Sequence, residues 1–377
     1  MRSRQPKKEF ELVAACCRWP LTSAAKSAIS VSAAGVDWPL FLKMARRHRV
    51  EALVENALRQ AGVDAPSDVS ASLRSAAMET VRQNVTLAAE CVRLNRLFEG
   101  AGVPIIFVKG VTLGLLAYGT LSLKMGWDID ILVPEEQLDE AADLLIGAGY
   151  ACTGPKSRES LLAWHRVSKE SEWRHREHQA VVELHTRLVD NVALLPVVGS
   201  NSPRQHVSVS SGTSLPTLAS DELFAYLCVH GASSAWFRIK WIADVAALLG
   251  AGGAQETERL YQRAHTMGAG RAPAQALLLC ARLFGAELTP GLRRELNSDW
   301  RNRYLYKAAL RLMSGRLAAT ELHDTTLGTL PIHLTQLFLR PGLRFKRSEV
   351  RRQMTSPDAA PLRSRLWRSL RKSPPAA

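Results

Sequence analysis

Two aspartates separated by one residue, Asp128 and Asp130, lie within the apolar run 127–133. If this run forms a β-strand, side chains alternate between its two faces, so both carboxylates point to the same side. Two like charges in such a run are costly unless a cation neutralises them, and carboxylate oxygens favour Mg²⁺ or Mn²⁺. The pattern therefore predicts a metal site, with two solvated aspartates at a strand end as the alternative interpretation.

Two flanking segments could complete such a site. Lys109-Gly110 follows the apolar run 104–108 and precedes a helix, where backbone N–H groups and a lysine can hold phosphate oxygens. An ordinary strand-to-helix turn has the same pattern.

Glu183 lies on a later apolar run with His185 two residues on, so both share one face. Three carboxylates from two strands can hold two metal ions for in-line displacement of pyrophosphate, whereas His185 alone fits a buried, hydrogen-bonded histidine equally well.

The secondary structure that must position these residues is predicted from hydrophobic periodicity and from Gly and Pro breaks. The predicted strands are 104–108, 127–133, 172–176 and 180–185, and the last two form a hairpin. The predicted helices are 38–61, 70–100, 112–118, 135–146, 221–231, 237–249, 257–267, 272–284 and 301–313. The Ser-, Gly- and Pro-rich stretch 198–217 predicts a long loop or an internal boundary.

Composition limits the class of protein. The chain has 377 residues, of which 46% are hydrophobic and 22% charged, a balance typical of a soluble globular protein. Its six cysteines show neither a CxxC pair nor metal-ligand spacing, so a disulfide framework or zinc site is not indicated and a cytoplasmic location is expected. No stretch reaches the roughly 18 apolar residues that a membrane span requires.

The net charge of +14 is concentrated at the C-terminus. Residues 340–377 contain eleven Lys or Arg against Glu349 and Asp358, which leaves nine of the positive charges there. An apolar stripe at helical spacing lies among them: Leu362, Leu366, Trp367 and Leu370. This pattern is typical of a helix on an anionic membrane surface, while Pro357, Pro361, Pro374 and Pro375 fit a solvated tail equally well. Nucleic-acid binding is less favoured, because aromatic residues are scarce there.

In their order along the chain, these motifs resemble the nucleotidyltransferase superfamily related to DNA polymerase beta. The resemblance is to the bacterial group described as uncharacterised nucleotidyltransferases, and it covers about residues 38–249. The matching residues are Lys109, Gly110, Asp128, Asp130, Glu183, His185, His230, Gly231, Trp241 and Asp244. Two features depart from the pattern: the wider superfamily has Gly-Ser at the first turn, and Lys124 replaces an arginine and loses its bidentate fork.

The resemblance implies an α/β (α+β) nucleotidyltransferase core with a small mixed sheet, flanked by N-terminal helices and a C-terminal helical domain. We therefore divide the chain into an N-terminal helical region (1–100), the core (101–217), a helical domain (218–339) and a basic, flexible tail (340–377). The helical domain is expected to close one side of the cleft.

The implied reaction is the transfer of a nucleoside monophosphate from an NTP to an unknown small-molecule, saccharide or peptide acceptor. The resemblance implies that Asp128 and Asp130 hold both Mg²⁺ or Mn²⁺ ions. Glu183 would bind the metal on the nucleophile side and help to deprotonate the acceptor. The residues expected to surround the nucleotide, with the lysines and the glycine neutralising its triphosphate, are Lys109, Gly110, Lys124, His185, His230 and Asp244.

Other interpretations stay open at this point. Trp241 fits a core position, and Asp244 could be only the i,i+4 ion-pair partner of Lys240. The same metal site could support phosphoryl transfer to a peptide or saccharide, and a non-catalytic binding protein could retain the fold. The expected location is the cytoplasm, with peripheral contact at the inner membrane surface through the tail.

Overall fold

A central sheet of five strands carries most of the predicted chemistry. The computed structural model describes residues 7–250, 252–315, 321 and 328–355. The strands of the sheet are β1 (Ile106–Phe107), β2 (Ile129–Leu132), β3 (Tyr150–Cys152), β4 (Glu170–His175) and β5 (Val181–His185). Their order is β1-β2-β5-β4-β3; β2 and β5 run parallel, and the other neighbouring pairs are antiparallel. The predicted small mixed sheet and the predicted hairpin of β4 and β5 are confirmed.

Helices surround this sheet. Up to β4 they are α1 (Lys7–Cys16), α2 (Ser23–Ser32), α3 (Trp38–His48), α4 (Glu51–Gln60), α5 (Ser67–Gly100), α6 (Val111–Tyr118), α7 (Leu138–Gly147) and α8 (Arg158–Val167). After the sheet they are α9 (Ser220–Ser233), α10 (Ile239–Leu249), α11 (Gly253–Thr266), α12 (Ala272–Phe284), α13 (Pro290–Ser298), α14 (Trp300–Ser314), α15 (Leu330–Gln336) and α16 (Leu343–Thr355). The predicted mixed α/β class with a helical second half is confirmed.

The two faces of the sheet have different partners. On one face, Ile129 and Ile131 of β2 join Val182 and Leu184 of β5 in a core that includes side chains of α5 and α7. Because side chains alternate along a strand, Asp130 of β2 projects from the opposite face. That face is turned toward α6, α9 and α10, so the helical half covers the side of the sheet that carries the carboxylates.

The helices before and after the sheet share one hydrophobic core. Phe10 of α1 and Phe41 of α3 belong to the same buried cluster as Phe224 of α9 and Leu277 of α12. The predicted N-terminal and C-terminal helical regions therefore pack against each other. The division of the chain into four segments remains a prediction.

The predicted helix 38–61 is two helices, because the chain turns at Arg49. This residue has φ 57° and ψ 49°, the left-handed conformation in which a helix commonly ends. The position is usually occupied by glycine, since a side chain costs roughly 1–2 kcal/mol there. The turn was missed because the apolar period continues from α3 into α4 without a glycine.

The prediction of a long loop at 198–217 is wrong. This segment contains a hairpin of β6 (Arg204–Ser210) and β7 (Thr213–Leu218). Val207 and Leu215 are paired in its register and both are buried, so apolar side chains on one face stabilise the hairpin despite the serines between them. The Thr217 hydroxyl donates a 2.6 Å hydrogen bond to the Phe107 carbonyl and fixes the hairpin beside β1.

The segment predicted to be a flexible tail begins with an ordered helix. In α16, Phe345 and Glu349 are buried, and Asn191 Nδ2 donates a 2.7 Å hydrogen bond to Glu349 Oε2. The apolar stripe from Leu362 to Leu370 lies outside the described residues. Within the described part of the chain, every helix is too short or too polar to cross a bilayer.

Candidate active site

A cavity of about 250 Å³ opens between the polar face of the sheet and helices α6, α9 and α10. The structure brings most of the predicted site residues together around it. Those that line the cavity are Lys109, Gly110, Lys124, Asp128, Asp130, Glu183, His230, Trp241 and Asp244. His185 does not line it and lies beneath Asp130, almost fully buried.

Asp130 is the most constrained carboxylate in the cavity. Its Oδ1 atom lies 2.8 Å from Lys109 Nζ and 3.2 Å from His185 Nε2. Its Oδ2 atom is buried and has no hydrogen-bond partner among the described residues. Burial opposes the ionised form, yet the Lys109 ammonium and His185 hold the pKa of Asp130 well below its usual value. Asp130 is therefore an anion with one oxygen available for another ligand.

The parallel register places a second acid beside it. Asp130 of β2 is paired with Glu183 of β5, and His185 of β5 shares the face of Glu183. One ligand atom from each of Asp130, Glu183 and His185 lies within 4.8 Å of the others, a spacing that suits a metal ion. The sequence had predicted the set Asp128, Asp130 and Glu183 instead, with His185 near the nucleotide.

Asp128 precedes β2 and completes the acidic wall. Burial, followed by the nearby carboxylates of Asp130 and Glu183, raises the pKa of Asp128 to about 6. A cation bound near these carboxylates would lower their pKa values again, since it favours the ionised form of each of them. The residues present therefore fit a divalent ion.

The two residues of the Lys-Gly turn contribute differently: Gly110 through its backbone conformation, and Lys109 through its ion pair with Asp130. Gly110 has φ 63° and immediately precedes α6, and a Cβ there would lie 3.5 Å from the Asp128 carbonyl oxygen. Glycine is required because other residues rarely adopt this conformation. Burial opposes the charged form of Lys109, but the Asp130 carboxylate outweighs that effect and raises the Lys109 pKa. Lys109 therefore stays charged in the cavity wall.

Asp244 connects three segments around the cavity. Its Oδ2 atom lies 3.2 Å from Lys124 Nζ, and its Oδ1 atom accepts a 2.9 Å hydrogen bond from the Tyr118 hydroxyl of α6. The alternative of an ion pair between Asp244 and Lys240 is wrong, because the carboxylate is directed at α6 and at the segment that follows it. Asp244 thus positions Lys124 as well as lining the cavity.

His230 and Gly231 of α9 have separate roles. His230 lines the cavity in edge contact with Trp241, with 5.9 Å between ring centroids, and burial lowers its pKa well below the usual value. His230 is therefore neutral. Gly231 lies against the buried Trp236 ring, whose atoms occupy the space that a side chain would need.

The segment that enters β2 is held by one buried amide. Asn84 Nδ2 of α5 donates 2.6 Å hydrogen bonds to the carbonyls of Leu121 and Lys124, and its Oδ1 atom accepts from the Gly126 N–H at 3.2 Å. Gly126 has to be small, since a Cβ would lie 2.8 Å from Asn84 Oδ1. Asn84 thereby fixes the approach to Asp128.

We expect Asn84→Ala to lower the free energy of unfolding by about 1–2 kcal/mol, because three backbone groups lose their partner and water replaces it only in part. Chemical denaturation measures this change. Asn95→Ala, in the same helix and without such hydrogen bonds among the described residues, is the control. Equal stability of the two variants would contradict the positioning role of Asn84.

Five further residues with charged or aromatic side chains line the cavity, although the sequence analysis had not placed them in the site. They are Arg49, Trp127, Lys169, Glu170 and Lys240. The sequence did contain a signal for Glu170. Half-buried acids alternate with the buried Ser171 and Trp173 along β4, so the strand begins two residues before its predicted start. Glu170 Oε2 lies 3.3 Å from His185 Nε2. No sequence pattern relates Arg49 to the sheet, since only the helical packing brings it there.

The acids on the two parallel strands of the mixed sheet form a site of the kind that holds metal ions for in-line displacement at phosphorus. The chain belongs to the family described as uncharacterised nucleotidyltransferases, whose sequence model matches residues 34–285. Every predicted site residue falls within that match. No curated protein matches the sequence.

Proposed function

We propose that the protein transfers a nucleoside monophosphate from an NTP to a hydroxyl-bearing acceptor and releases pyrophosphate. One observation carries the proposal: Asp130 and Glu183 are paired on parallel strands and both line the cavity, where Asp130 Oδ2 has no partner. Membership of a nucleotidyltransferase family supports a nucleotide as the substrate.

The donor set supports a divalent cation as the cofactor, because Asp130, Glu183 and His185 offer ligand atoms within 4.8 Å of one another. We propose that Asp128, which lines the same cavity, joins Asp130 and Glu183 in holding it. Oxygen donors of this kind suit Mg²⁺ or Mn²⁺, and a single imidazole nitrogen is compatible with Mn²⁺. Bound in pairs, such ions neutralise phosphate charge and align the attacking and leaving oxygens. We assign Glu183 to the nucleophile side.

The chain's own residues perform the remaining tasks. The acceptor oxygen forms a bond to the α-phosphorus, and the bond from the α-phosphorus to the oxygen bridging to the β-phosphate breaks. Glu183, with 24% of its side chain exposed, accepts the proton of the acceptor hydroxyl at a carboxylate oxygen. Lys109 holds Asp130 in place, and Lys109 and Lys124 add positive charge to the wall beside the triphosphate.

The order of the motifs supports a place in the superfamily related to DNA polymerase beta.

The test of function is incubation of the protein with each NTP, Mg²⁺ and mixtures of small molecules, saccharides and peptides, followed by mass spectrometry. Nucleotidyl transfer adds a nucleoside monophosphate to the acceptor, whereas phosphoryl transfer adds only phosphate. Tight binding of Mg²⁺-NTP without any product would instead indicate a binding protein that retains the fold.

We also propose that the protein is cytoplasmic and contacts an anionic membrane through its C-terminus. The support is the charge pattern of residues 340–377 together with α16, whose exposed side chains include Arg344, Lys346, Arg347 and Arg351 as well as Leu343. Basic residues next to apolar ones favour the surface of an anionic bilayer.

Removal of residues 356–377 is expected to weaken binding to anionic vesicles more than about tenfold, because each basic residue contributes about 1 kcal/mol near such a surface. Ending the chain at Thr355 keeps the packed helix α16. Co-sedimentation with phosphatidylserine vesicles at rising salt measures the effect, with phosphatidylcholine vesicles as the control. Equal sedimentation of the two proteins would leave these residues as a solvated segment.

A further inference from the structure

The cavity contains two groups of basic residues. The first group consists of lysines already paired with a carboxylate of the same cavity, in the pairs Lys109–Asp130, Lys124–Asp244 and Lys169–Glu170. Arg49 and Lys240 form the second group. Neither has a carboxylate within 4.0 Å among the residues that the structure describes. These two cations are therefore available to an anion that enters the cavity.

Most of the charges that act on Lys240 are of its own sign. Burial, and then the positive charges of Lys124 and Arg49, lower its pKa to about 7, although the Asp244 carboxylate acts in the opposite direction. Taking an ammonium group out of water without a counterion is costly, and neighbouring cations add to that cost. An anion bound between them removes both penalties, so this part of the cavity is complementary to a ligand with several negative charges.

Arg49 is held in place by an unusual backbone conformation. It adopts the left-handed region between α3 and α4, where glycine is the usual residue. Its guanidinium lies over the Trp127 ring, 5.9 Å from the ring centroid, at the edge of the cavity where 52% of Trp127 is exposed. A non-glycine residue kept in such a conformation beside a candidate site is a sign of a functional constraint.

We propose that Arg49 and Lys240 bind the polyphosphate chain of the nucleotide, an inference that rests on the proposed nucleotidyl transfer. Arg49 offers a planar fork that matches two phosphate oxygens, and Lys240 offers a point charge. The acidic wall of Asp128, Asp130 and Glu183 takes the cation that accompanies the polyphosphate. The cavity thus offers unpaired basic side chains to the polyphosphate and carboxylates to the cation that accompanies it.

Calorimetric titration of the full-length protein with inorganic tripolyphosphate in Mg²⁺ tests the proposal without depending on a base or an acceptor. Arg49→Gly suits the left-handed backbone and removes the guanidinium together with its contact to the Trp127 ring, and Lys240→Met keeps the length of the side chain. Each is expected to weaken binding by about tenfold to a hundredfold, the usual effect of removing a charged hydrogen-bond donor. Lys43→Gln, an exposed position on α3, is the matched control and should bind as the wild type does.

Two further measurements keep the outcomes distinct. The melting temperature of the ligand-free variants should equal or exceed that of the wild type, because a strained or uncompensated residue is removed. ATP should lose the same factor as tripolyphosphate, because the contacts are to phosphate. Wild-type affinity in folded Arg49→Gly and Lys240→Met would overturn this inference alone. If the wild type binds neither tripolyphosphate nor any Mg²⁺-NTP, the proposed function itself fails.

Discussion

Asp130→Asn is expected to abolish nucleotidyl transfer while the protein remains folded. Asparagine has the size of aspartate and its Oδ1 atom can still accept the hydrogen bond from Lys109, but the negative charge for the cation is lost. Charge stabilisation by a bound metal contributes several kcal/mol in the transition state, so the rate should fall on the order of 10³-fold or more. Calorimetry with Mg²⁺-NTP and product analysis by mass spectrometry measure the two effects.

Loss of the Asp130 charge also leaves Lys109 without its counterion. Lys109 lines the cavity with 17% of its side chain exposed, so water offsets part of this loss. The double variant Lys109→Met/Asp130→Asn should therefore be more stable than Asp130→Asn in chemical denaturation, yet equally inactive. Asp143→Asn, at an exposed site on α7, should keep wild-type activity. Equal affinity of wild type and Asp130→Asn for metal–nucleotide would show that Asp130 is not a ligand.

Gly231→Ala is expected to destabilise the protein by about 3 kcal/mol, the upper end of the cost of overpacking a core. In an ordinary helix the same change stabilises by roughly 0.5–1 kcal/mol. The sign is reversed here because a Cβ would lie under 3.0 Å from three atoms of the fully buried Trp236 ring. The backbone N–H of Trp236 also donates a 2.9 Å hydrogen bond to the Gly231 carbonyl, which holds the Trp236 backbone close to the end of α9.

Gly147→Ala is the matched control for this change. Gly147 ends α7, and a Cβ there would meet nothing within 4 Å, so its replacement should be neutral or slightly stabilising. Urea denaturation of both variants gives the two changes in the free energy of unfolding. If Gly231→Ala were as stable as Gly147→Ala, the His-Gly motif would need an explanation other than the packing of Trp236.

The sequence predicted the part of the site that depends on local alternation. The two-residue period of a β-strand and the apolar surroundings were sufficient to recognise Asp128 and Asp130. The same period placed Glu183 and His185 on one face. The adjacency of Asp130 and Glu183 is a long-range pairing, and the family resemblance made it predictable. The family is now shown over residues 34–285.

The sequence did not predict the residues that tertiary packing brings to the cavity. Arg49 reaches it because the chain turns in a left-handed conformation, which its sequence does not signal. Lys240 appeared to be the partner of Asp244 at helical spacing, but Lys124 and Tyr118 approach that carboxylate from another segment. The hairpin of β6 and β7 was hidden by serines on its exposed face.

The parallel pairing of β2 with β5 also has a consequence for synthesis. Asp130 leaves the ribosome well before Glu183, and between them the chain must complete α7, β3, α8 and β4. Until β5 is made, one edge of the apolar strand β2 has no partner, and such edges promote aggregation of nascent or truncated chains. Because the pairing is long-range, it forms slowly. A fragment that ends before Val181 is therefore expected to be insoluble.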